Sequence, residues 1–211
     1  MVSLASPAPQ ASALTLVVAE YNFDTLGNPA PTFVGNGFTA TSMSNNGLAL
    51  FEVSNPTPNY PDPPVLRVAP QGGVTSSAAA NAASGRFQFT VDSPTFNVFG
   101  LQTLTFDAGR GGGSTPRGFV LRTSETGSQE LAVQAIPTQR PNFTGYSIDL
   151  SSIALLQDLS GPVTLSFHPF TPGTGASIEF DNFTLTATVP EPGRALLLGL
   201  ATLPLLLRRR R

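Results

Sequence analysis

Residues 176–189 read Ala-Ser-Ile-Glu-Phe-Asp-Asn-Phe-Thr-Leu-Thr-Ala-Thr-Val and carry the pattern on which the fold prediction rests. Apolar and polar residues alternate, which is typical of a β-strand that buries one face and exposes the other. The apolar residues occupy even-numbered positions up to Phe180 and odd-numbered positions from Phe183 onward. Because a strand changes its buried face only where an extra residue is inserted, the pattern predicts a β-bulge at Asp181 and Asn182.

The same alternation recurs between residues 14 and 188, where clusters of Gly, Pro and Asn separate about eleven short stretches. Short alternating strands with turn residues at this spacing are typical of an antiparallel sandwich. One short helical turn is predicted, near 151–157. We therefore predict an all-β fold: a single antiparallel jelly-roll-like β-sandwich, followed by a short C-terminal hydrophobic helix. The predicted strands are residues 14–24, 37–42, 47–53, 64–69, 87–91, 101–107, 119–122, 130–136, 146–150, 163–167 and 176–189.

The composition excludes several classes of function. The 211-residue chain has no Cys and one His, which excludes a disulfide scaffold, a Cys-ligated zinc site, a thiol nucleophile and any mechanism with two histidines. Five of the 11 arginines and one of the 13 acidic residues follow residue 190, so residues 1–189 carry 6 − 12 = −6 charges. Nucleic-acid binding needs a basic face, so we expect no nucleic-acid partner.

The C-terminal segment 189–211 combines three features: a Pro-Glu-Pro triplet, a Leu-rich apolar stretch and four arginines. The apolar stretch has 13 residues, about 20 Å as a helix, whereas a stable membrane span needs roughly 20 residues. Terminal arginines favour the cytoplasmic side of a membrane. The triplet is Pro190, Glu191 and Pro192, the apolar stretch runs from Ala195 to Leu207, and the basic cluster is Arg208, Arg209, Arg210 and Arg211.

These three features, in this order, resemble the PEP-CTERM sorting signal of exosortase-processed bacterial proteins. The resemblance implies a protein that is exported and held transiently in the inner membrane by segment 189–211. It further implies that an exosortase cleaves the chain near the triplet, which leaves the remainder at the cell surface or outside the cell. Residues 1–13 end in an Ala-x-Ala sequence and are interpreted as the remnant of a signal peptide. The alternative is a permanent single-pass anchor at the C-terminus.

The body of the chain, residues 14–188, resembles the carbohydrate-binding-module-like jelly rolls common in PEP-CTERM proteins. In such folds an early Glu and an Asp of the last strand often hold a structural calcium ion. The resemblance gives this role to Glu20 and Asp181, with Asp24 as a weaker third ligand, and oxygen ligands suit Ca²⁺. The alternative is that these carboxylates are solvated, or hydrogen-bonded to backbone at the rim of a sheet.

No motif in the sequence singles out a catalytic site, and we predict that the protein is not an enzyme. His168 precedes Pro169, has no Gly-x-Ser-x-Gly nucleophile motif to serve, and by its strand phase is predicted to face solvent. The glycine-rich stretch 109–115 lacks the Gly-Lys-Ser/Thr ending of a phosphate-binding loop and is predicted to be a flexible hairpin loop. A catalytic pair among the acidic residues is not excluded by the sequence.

Sugar-binding surfaces favour exposed aromatic rings, and the chain has no Trp. Tyr60, in the Pro-rich stretch 55–64, is the best candidate for an exposed glycan contact. The predicted function is therefore an exported, non-catalytic protein of the cell surface or biofilm matrix. The alternative is a carbohydrate-binding module that recognises exopolysaccharide.

Overall fold

The fold consists of two antiparallel β-sheets packed face to face, as the sequence predicts. The computed structural model describes residues 13–55, 63–127, 129–139, 142–173 and 175–190. The larger sheet has seven strands, whose side chains alternate between the core and the outer face. In chain order these strands are β1 (Ala13–Tyr21), β2 (Phe33–Val34), β5 (Leu50–Ser54), β6 (Val65–Ala69), β8 (Gly100–Arg110), β11 (Thr144–Asp149) and β13 (Ile178–Pro190).

The smaller sheet has six strands and covers the inner face of the larger one. Buried and partly exposed residues alternate throughout Arg86–Asp92 and over the first five residues of Val163–Phe170, so one face packs on the core and the other is polar. Its strands are β3 (Thr39–Ala40), β4 (Ser44–Asn46), β7 (Arg86–Asp92), β9 (Gly118–Thr123), β10 (Ala132–Ala135) and β12 (Val163–Phe170).

Most strand pairs join strands that are far apart in the chain, as in jelly-roll folds. The larger sheet runs β11-β8-β13-β1-β2, with β6 also pairing with β13 and β5 pairing with β6. The smaller sheet runs β10-β9-β12-β7-β3, with β4 also pairing with β7. Long strands therefore occupy the centre of each sheet, and short strands lie at the edges, where unpaired backbone groups meet solvent.

Phenylalanine side chains fill the space between the sheets. Phe106 of β8 and Phe183 of β13 stack with ring centroids 4.9 Å apart, and Phe87 of β7 and Phe167 of β12 stack at 4.7 Å. Phe106 also meets Phe167 edge to face at 5.7 Å, which joins the two sheets. Such aromatic pairs contribute about 0.5–1.5 kcal/mol each beyond the burial of their area. The alternating pattern therefore builds one core that both sheets share.

Strand β13 contains the bulge that the sequence predicts. Its pairing with β8 shifts register between Asp181 and Thr184, and Asn182 has a backbone φ of 52°. Asn tolerates this left-handed conformation better than most residues. Phe180 before the bulge and Phe183 after it are both buried, because the extra residue changes the phase of the strand.

The two ends of the described sandwich lie together. Strands β1 and β13 pair along their length, with Ala13 opposite Pro190. The predicted C-terminal hydrophobic helix, at residues 195–207, lies outside the described residues. Within the described part of the chain, no helix is long and apolar enough to cross a membrane.

One helix was not predicted from the sequence. Helix α1 (Ser77–Ala82) begins after Ser76, whose side chain accepts a hydrogen bond from the backbone N–H of Ala79 at 3.2 Å. Ala80 is buried against Val120 and Phe170 on the outer side of the smaller sheet. Alanine favours helix strongly, but six residues are too short to show a helical period. The predicted helical turn near 151–157 is confirmed as a 3₁₀-helix at Ala154–Leu156.

The glycine-rich stretch 109–115 is not a hairpin loop, and that prediction is wrong. It leads from β8 of the larger sheet to β9 of the smaller sheet, so it crosses the edge of the sandwich. Arg117 fixes this crossing: its Nε donates to the carbonyl oxygen of Ser114 at 2.9 Å, and its Nη2 donates to the Ser114 hydroxyl at 3.0 Å. Local sequence reveals the turn residues, but it does not reveal which sheet the next strand joins.

Candidate functional site

The outer face of the smaller sheet carries polar side chains on its three central strands. Strand pairing places Ser166 of β12 opposite Gln88 of β7 on one side and opposite Arg122 of β9 on the other. Arg86 lies two residues before Gln88, and His168 lies two residues after Ser166, so both share this outer face. The register therefore gathers side chains that are far apart in the sequence.

These side chains line a groove of about 370 Å³, which we call the cationic groove. Among the described residues that line it, none is acidic. Two of the six arginines of residues 1–189 thus lie in one recess, although this part of the chain is net negative. The principal lining residues are Arg86, Gln88, Arg122, Thr164, Ser166 and His168.

Hydrogen bonds hold both arginines of the groove in place. Arg86 donates from Nε to Oε1 of Gln88 at 2.8 Å and from Nη1 to the carbonyl oxygen of Ser84 at 3.1 Å. Arg122 donates from Nη2 to the carbonyl oxygen of Asn81 in α1. Its Nε is buried and has no hydrogen-bond partner among the described residues. Each guanidinium group is therefore oriented by the protein and still has N–H groups that can donate to a ligand.

His168 lies on the outer face of β12, as its strand phase predicts, but the prediction that it faces solvent is wrong. Only 4% of the residue is exposed, because the chain around Ala83, at the end of α1, covers it. The pKa of His168 is lowered to about 4, chiefly by burial and also by the positive charges of Arg122 and Arg86. A hydrogen bond with the Ala83 backbone opposes the shift. The imidazole is therefore neutral at pH 7.

The outer face of the larger sheet carries the opposite charge at the β13 bulge. Asp181 lies directly opposite Asp107 of β8. Asn182 connects the two carboxylates: its backbone N–H donates to Oδ1 of Asp181 at 2.8 Å, and its side-chain amide donates to Oδ2 of Asp107 at 2.9 Å. With Asp24, these two residues form what we call the carboxylate cluster.

The other two carboxylates of this cluster disfavour the charged form of Asp181. The pKa of Asp181 is raised to about 7, chiefly by burial. The hydrogen bond from the Asn182 backbone opposes this rise, and the negative charges of Asp24 and Asp107 add to it. Asp181 is therefore partly protonated near neutral pH in the absence of a neighbouring cation.

The structure brings two of the three predicted calcium ligands into electrostatic contact. Asp24 acts on Asp181, whereas Glu20 lies in β1 opposite Thr184, beyond the bulge. Asp107 joins them through strand pairing. Among the described residues, no group of three or more His, Cys, Asp or Glu side chains is arranged to hold a metal ion. The oxygen donors suit Ca²⁺ chemically, and the calcium site stays a prediction.

The remaining predicted site residues lie at or beyond the limit of the described chain. Pro190, the first residue of the triplet, is exposed at the end of β13. The rest of the predicted sorting signal, residues 191–211, and the predicted glycan contact Tyr60 lie outside the described residues. Their roles stay predictions.

Comparison with known proteins gives matches to solved structures alone. No protein-family model matches the chain, and no curated protein matches it. An apo-form cyclase from Fischerella sp. covers 86% of this chain and 100% of its own, at 16% identity and a TM-score of 0.45. The CBM22-1 xylan-binding domain from Paenibacillus barcinonensis covers 85% and 99%, at 12% identity and a TM-score of 0.43.

A third similar structure is the CBM36-1 domain of a multidomain xylanase from a Trinervitermes trinervoides hindgut metagenome. It covers 70% of this chain and 95% of its own, at 12% identity and a TM-score of 0.42. The solved structures that the chain resembles thus include carbohydrate-binding modules and cyclases. Because all these similarities are distant, the function has to be argued from the residues of this chain.

Sequence reasoning missed both arginines of the cationic groove. The alternation of apolar and polar residues in these strands could have shown that Arg86 and Arg122 occupy outward positions. That signal says which face each side chain occupies, but it does not say that β7 and β9 both pair with β12. Only the strand order brings the two arginines to one recess.

Proposed function

We propose that this protein is an exported, non-catalytic β-sandwich of the cell surface or extracellular matrix, which binds exopolysaccharide through the cationic groove. The proposal includes sorting through segment 189–211, with exosortase cleavage near Pro190, Glu191 and Pro192. The observation that carries the binding part is a polar recess formed by three central strands of one sheet.

The chemistry of the groove supports saccharide binding. Sugar hydroxyl groups both donate and accept hydrogen bonds, and the groove offers hydroxyls at Thr164 and Ser166, an amide at Gln88 and guanidinium donors. These groups lie on paired strands of a rigid sheet, so little side-chain freedom remains to be lost when a ligand binds. Ligand sites are ordinarily concave and largely preformed, and this groove is a concave surface built on paired strands.

The same chemistry supports a non-catalytic role for the groove. Glycoside hydrolysis uses two carboxyl groups on either side of the scissile bond. No described residue that lines the groove is acidic, and His168 is buried and neutral at pH 7. Binding without release of reducing sugar ends is the expected behaviour.

The pairing of β1 with β13 is compatible with the sorting part of the proposal, because cleavage after Pro190 leaves the pairing of Ala13 with Pro190 intact. The intact mass of the protein from native-host fractions tests this directly: a species ending near residues 190–192 in the surface or medium fraction is expected. A full-length species confined to the inner membrane would identify segment 189–211 as a permanent anchor.

A retention experiment tests the binding part. Affinity electrophoresis through gels that contain the native host's exopolysaccharide is expected to retard the wild-type protein. Ser166→Ile, which puts a branched apolar side chain in the centre of the groove, is expected to abolish the retardation. Thr105→Ile is the matched control, because Thr105 occupies an outer-face position in a central strand of the opposite sheet.

Two outcomes would contradict this assignment. Equal retardation of wild type and Ser166→Ile, with loss on Tyr60→Ala, would place the binding site in the Pro-rich stretch. Release of reducing ends from the polysaccharide would contradict the non-catalytic role. Both variants at residues 105 and 166 are compared by thermal unfolding first, so that a folding defect is recognised.

For the carboxylate cluster we propose a structural Ca²⁺ as a second ligand of the protein. The effect of Asp24 and Asp107 on Asp181 supports it, because a divalent cation would offset the repulsion that disfavours the Asp181 carboxylate. Asp24 and Asp181 would hold the ion, and Asp107 is the neighbouring carboxylate. The melting temperature with calcium and with EDTA tests this role.

A further inference from the structure

We infer that the cationic groove is specific for acidic polysaccharides and binds their carboxylate or sulfate groups through Arg86 and Arg122. This inference rests on the proposed function, since it names the chemical class of the glycan that the same groove binds. Its basis is the charge of the groove, its unpartnered buried groups and the fixed orientation of its two guanidinium groups.

The charges of the groove are not neutralised within the sandwich. Among the described residues, the ion pairs within 4.0 Å join Arg67 to Glu52 and Glu179, and none involves Arg86 or Arg122. No described residue lining the groove is acidic. Both arginines affect His168 strongly enough to help lower its pKa, so their positive potential overlaps inside the recess. Glu125 accepts a hydrogen bond from the lining residue Ser124 at 3.3 Å but forms no ion pair with either arginine. Two cations without an ion-pair partner among the described residues favour an anion at this place.

Two buried nitrogen atoms in the groove have no partner among the described residues: Nε of Arg122 and Nδ1 of His168. Buried polar atoms without partners are rare, because their lost hydration is not replaced. An anionic oxygen near Arg122 would accept from its Nε–H. The neutral His168 ring has one N–H, which its hydrogen bond with the Ala83 backbone uses, so Nδ1 is an acceptor and would take a hydroxyl group of the sugar that carries the acid.

The arginines are oriented for such a ligand before it arrives. Arg86 is fixed by Gln88 and Ser84, and Arg122 is fixed by Asn81. A planar guanidinium group with two free N–H donors pairs with carboxylate and sulfate oxygens in a two-pronged geometry that lysine does not reproduce. The hydroxyl of Ser166 lies in the same groove and is available to the sugar ring that carries the acid, whereas the hydroxyl of Thr164 already shares a hydrogen bond of 2.7 Å with that of Thr90.

Polysaccharides that differ in charge alone test the inference. We would measure affinity by isothermal titration calorimetry for polygalacturonate, for its fully methyl-esterified neutral form, for dextran sulfate and for dextran. Polygalacturonate or dextran sulfate is expected to bind at least about tenfold more tightly than its neutral counterpart, since hydrogen bonds to charged groups are roughly twice as strong as neutral ones. The two acidic polymers distinguish a carboxylate preference from a sulfate preference.

Variants at the arginines complete the test. Arg86→Gln and Arg122→Gln are each expected to weaken binding of the acidic polymer about tenfold or more, and Arg→Lys to restore part of it. Arg110→Gln is the matched control, because it removes the same charge from the larger sheet, outside the groove. Arg122 also holds α1, so thermal unfolding of Arg122→Gln and Arg122→Lys checks the fold.

The possible results separate this inference from the proposed function. Equal affinity for charged and neutral polymers, or unchanged binding by both Gln variants, would overturn the acidic specificity while polysaccharide binding stands. Equal weakening by Arg110→Gln would likewise overturn it, because net charge and not the groove would then govern binding. Failure to bind any of the four polymers and the host exopolysaccharide would overturn both.

Discussion

The outer faces of the two sheets use the same scaffold for opposite charges. On the smaller sheet, two arginines and a buried histidine share a recess without acidic neighbours among the described lining residues. On the larger sheet, Asp107 and Asp181 lie opposite each other at a bulge, with Asp24 nearby. In both places like charges are brought together at a cost to folding stability.

The pKa values show how the repulsion between like charges is reduced on each face. His168 is neutral because burial and the neighbouring arginines lower its pKa to about 4. Asp181 is partly protonated near neutral pH because burial and neighbouring carboxylates raise its pKa to about 7. Each face thus sheds charge through one titratable group that is buried or half-buried. A bound ion of the opposite sign would offset the repulsion between like charges on each face. We therefore propose one ligand for each of these two sites.

The greatest loss of stability is expected in the core that joins the two faces. Phe106→Ala is expected to lower the free energy of unfolding by about 3–5 kcal/mol, because it opens a cavity among the rings of both sheets. Phe106→Leu should cost distinctly less. Urea unfolding measures both. A loss below about 1 kcal/mol for Phe106→Ala would mean that the sheets do not depend on one shared core.

The next largest expected effect is a pH-dependent change in stability caused by the carboxylate cluster. Between pH 3.8 and 7 the folded state holds a proton on Asp181 that the unfolded state has lost, so this group makes stability fall as pH rises. Asp181→Asn is expected to remove the fall and to stabilise the protein at pH 8 by roughly 1–2 kcal/mol, after allowance for solvent screening. Urea unfolding in EDTA at pH 4 and pH 8 measures it.

Asp149→Asn is the control for this variant. Asp149 is an exposed carboxyl on the same face, and hydrogen bonds from the Ser151 hydroxyl and backbone N–H lower its pKa. Its replacement is not expected to stabilise the protein at pH 8. A destabilised Asp181→Asn protein in EDTA would show that favourable contacts hold the Asp181 carboxylate, and that repulsion does not dominate the cluster.

At the cationic groove, the pH dependence of the folding stability has the opposite sign and is smaller. Between pH 6.5 and about 4 the unfolded state protonates its histidine and the folded state does not, so stability is lost as pH falls through this range. His168→Gln is expected to remove a loss of roughly 1 kcal/mol. Comparing unfolding at pH 7.5 and pH 4.5 with wild type checks this. An unchanged pH dependence would mean that His168 is hydrated and titrates normally.

Calcium is expected to have the weakest effect. With millimolar Ca²⁺ the wild-type melting temperature is expected to rise by about 2 °C over that in EDTA, an increase that corresponds to less than about 1 kcal/mol for a chain of this size. Asp181→Asn should lose this response. Melting curves that coincide in calcium and EDTA would leave the cluster as a set of repelling carboxylates, the alternative that the sequence also allows.

The sequence predicted those features that depend on the alternation of inward and outward positions within one strand. Alternation in β13 located both the strand and the bulge at Asp181 and Asn182, because a change of buried face requires an inserted residue. It also assigned His168 to an outer face. It missed the burial of His168, because that depends on α1, which is too short to show a helical period.

Features that depend on which strands pair with each other could not be predicted from the sequence. Asp107 faces Asp181 because β8 pairs with β13, and Arg122 meets Ser166 because β9 pairs with β12. These pairings join residues more than 40 positions apart and are decided by the packing of the whole sandwich. The candidate site could therefore be predicted as a set of outward-facing residues, but not as a groove.

The proposed function depends above all on polysaccharide binding at the cationic groove and not at the opposite face. The sharpest test is to map amide chemical shifts by two-dimensional NMR, with oligosaccharide fragments of the native host's exopolysaccharide. We expect shifts concentrated at Gln88, Arg122 and Ser166, with residues such as Thr105 on the larger sheet unmoved. Shifts confined to the larger sheet, or spread evenly over both faces, would contradict binding at the groove.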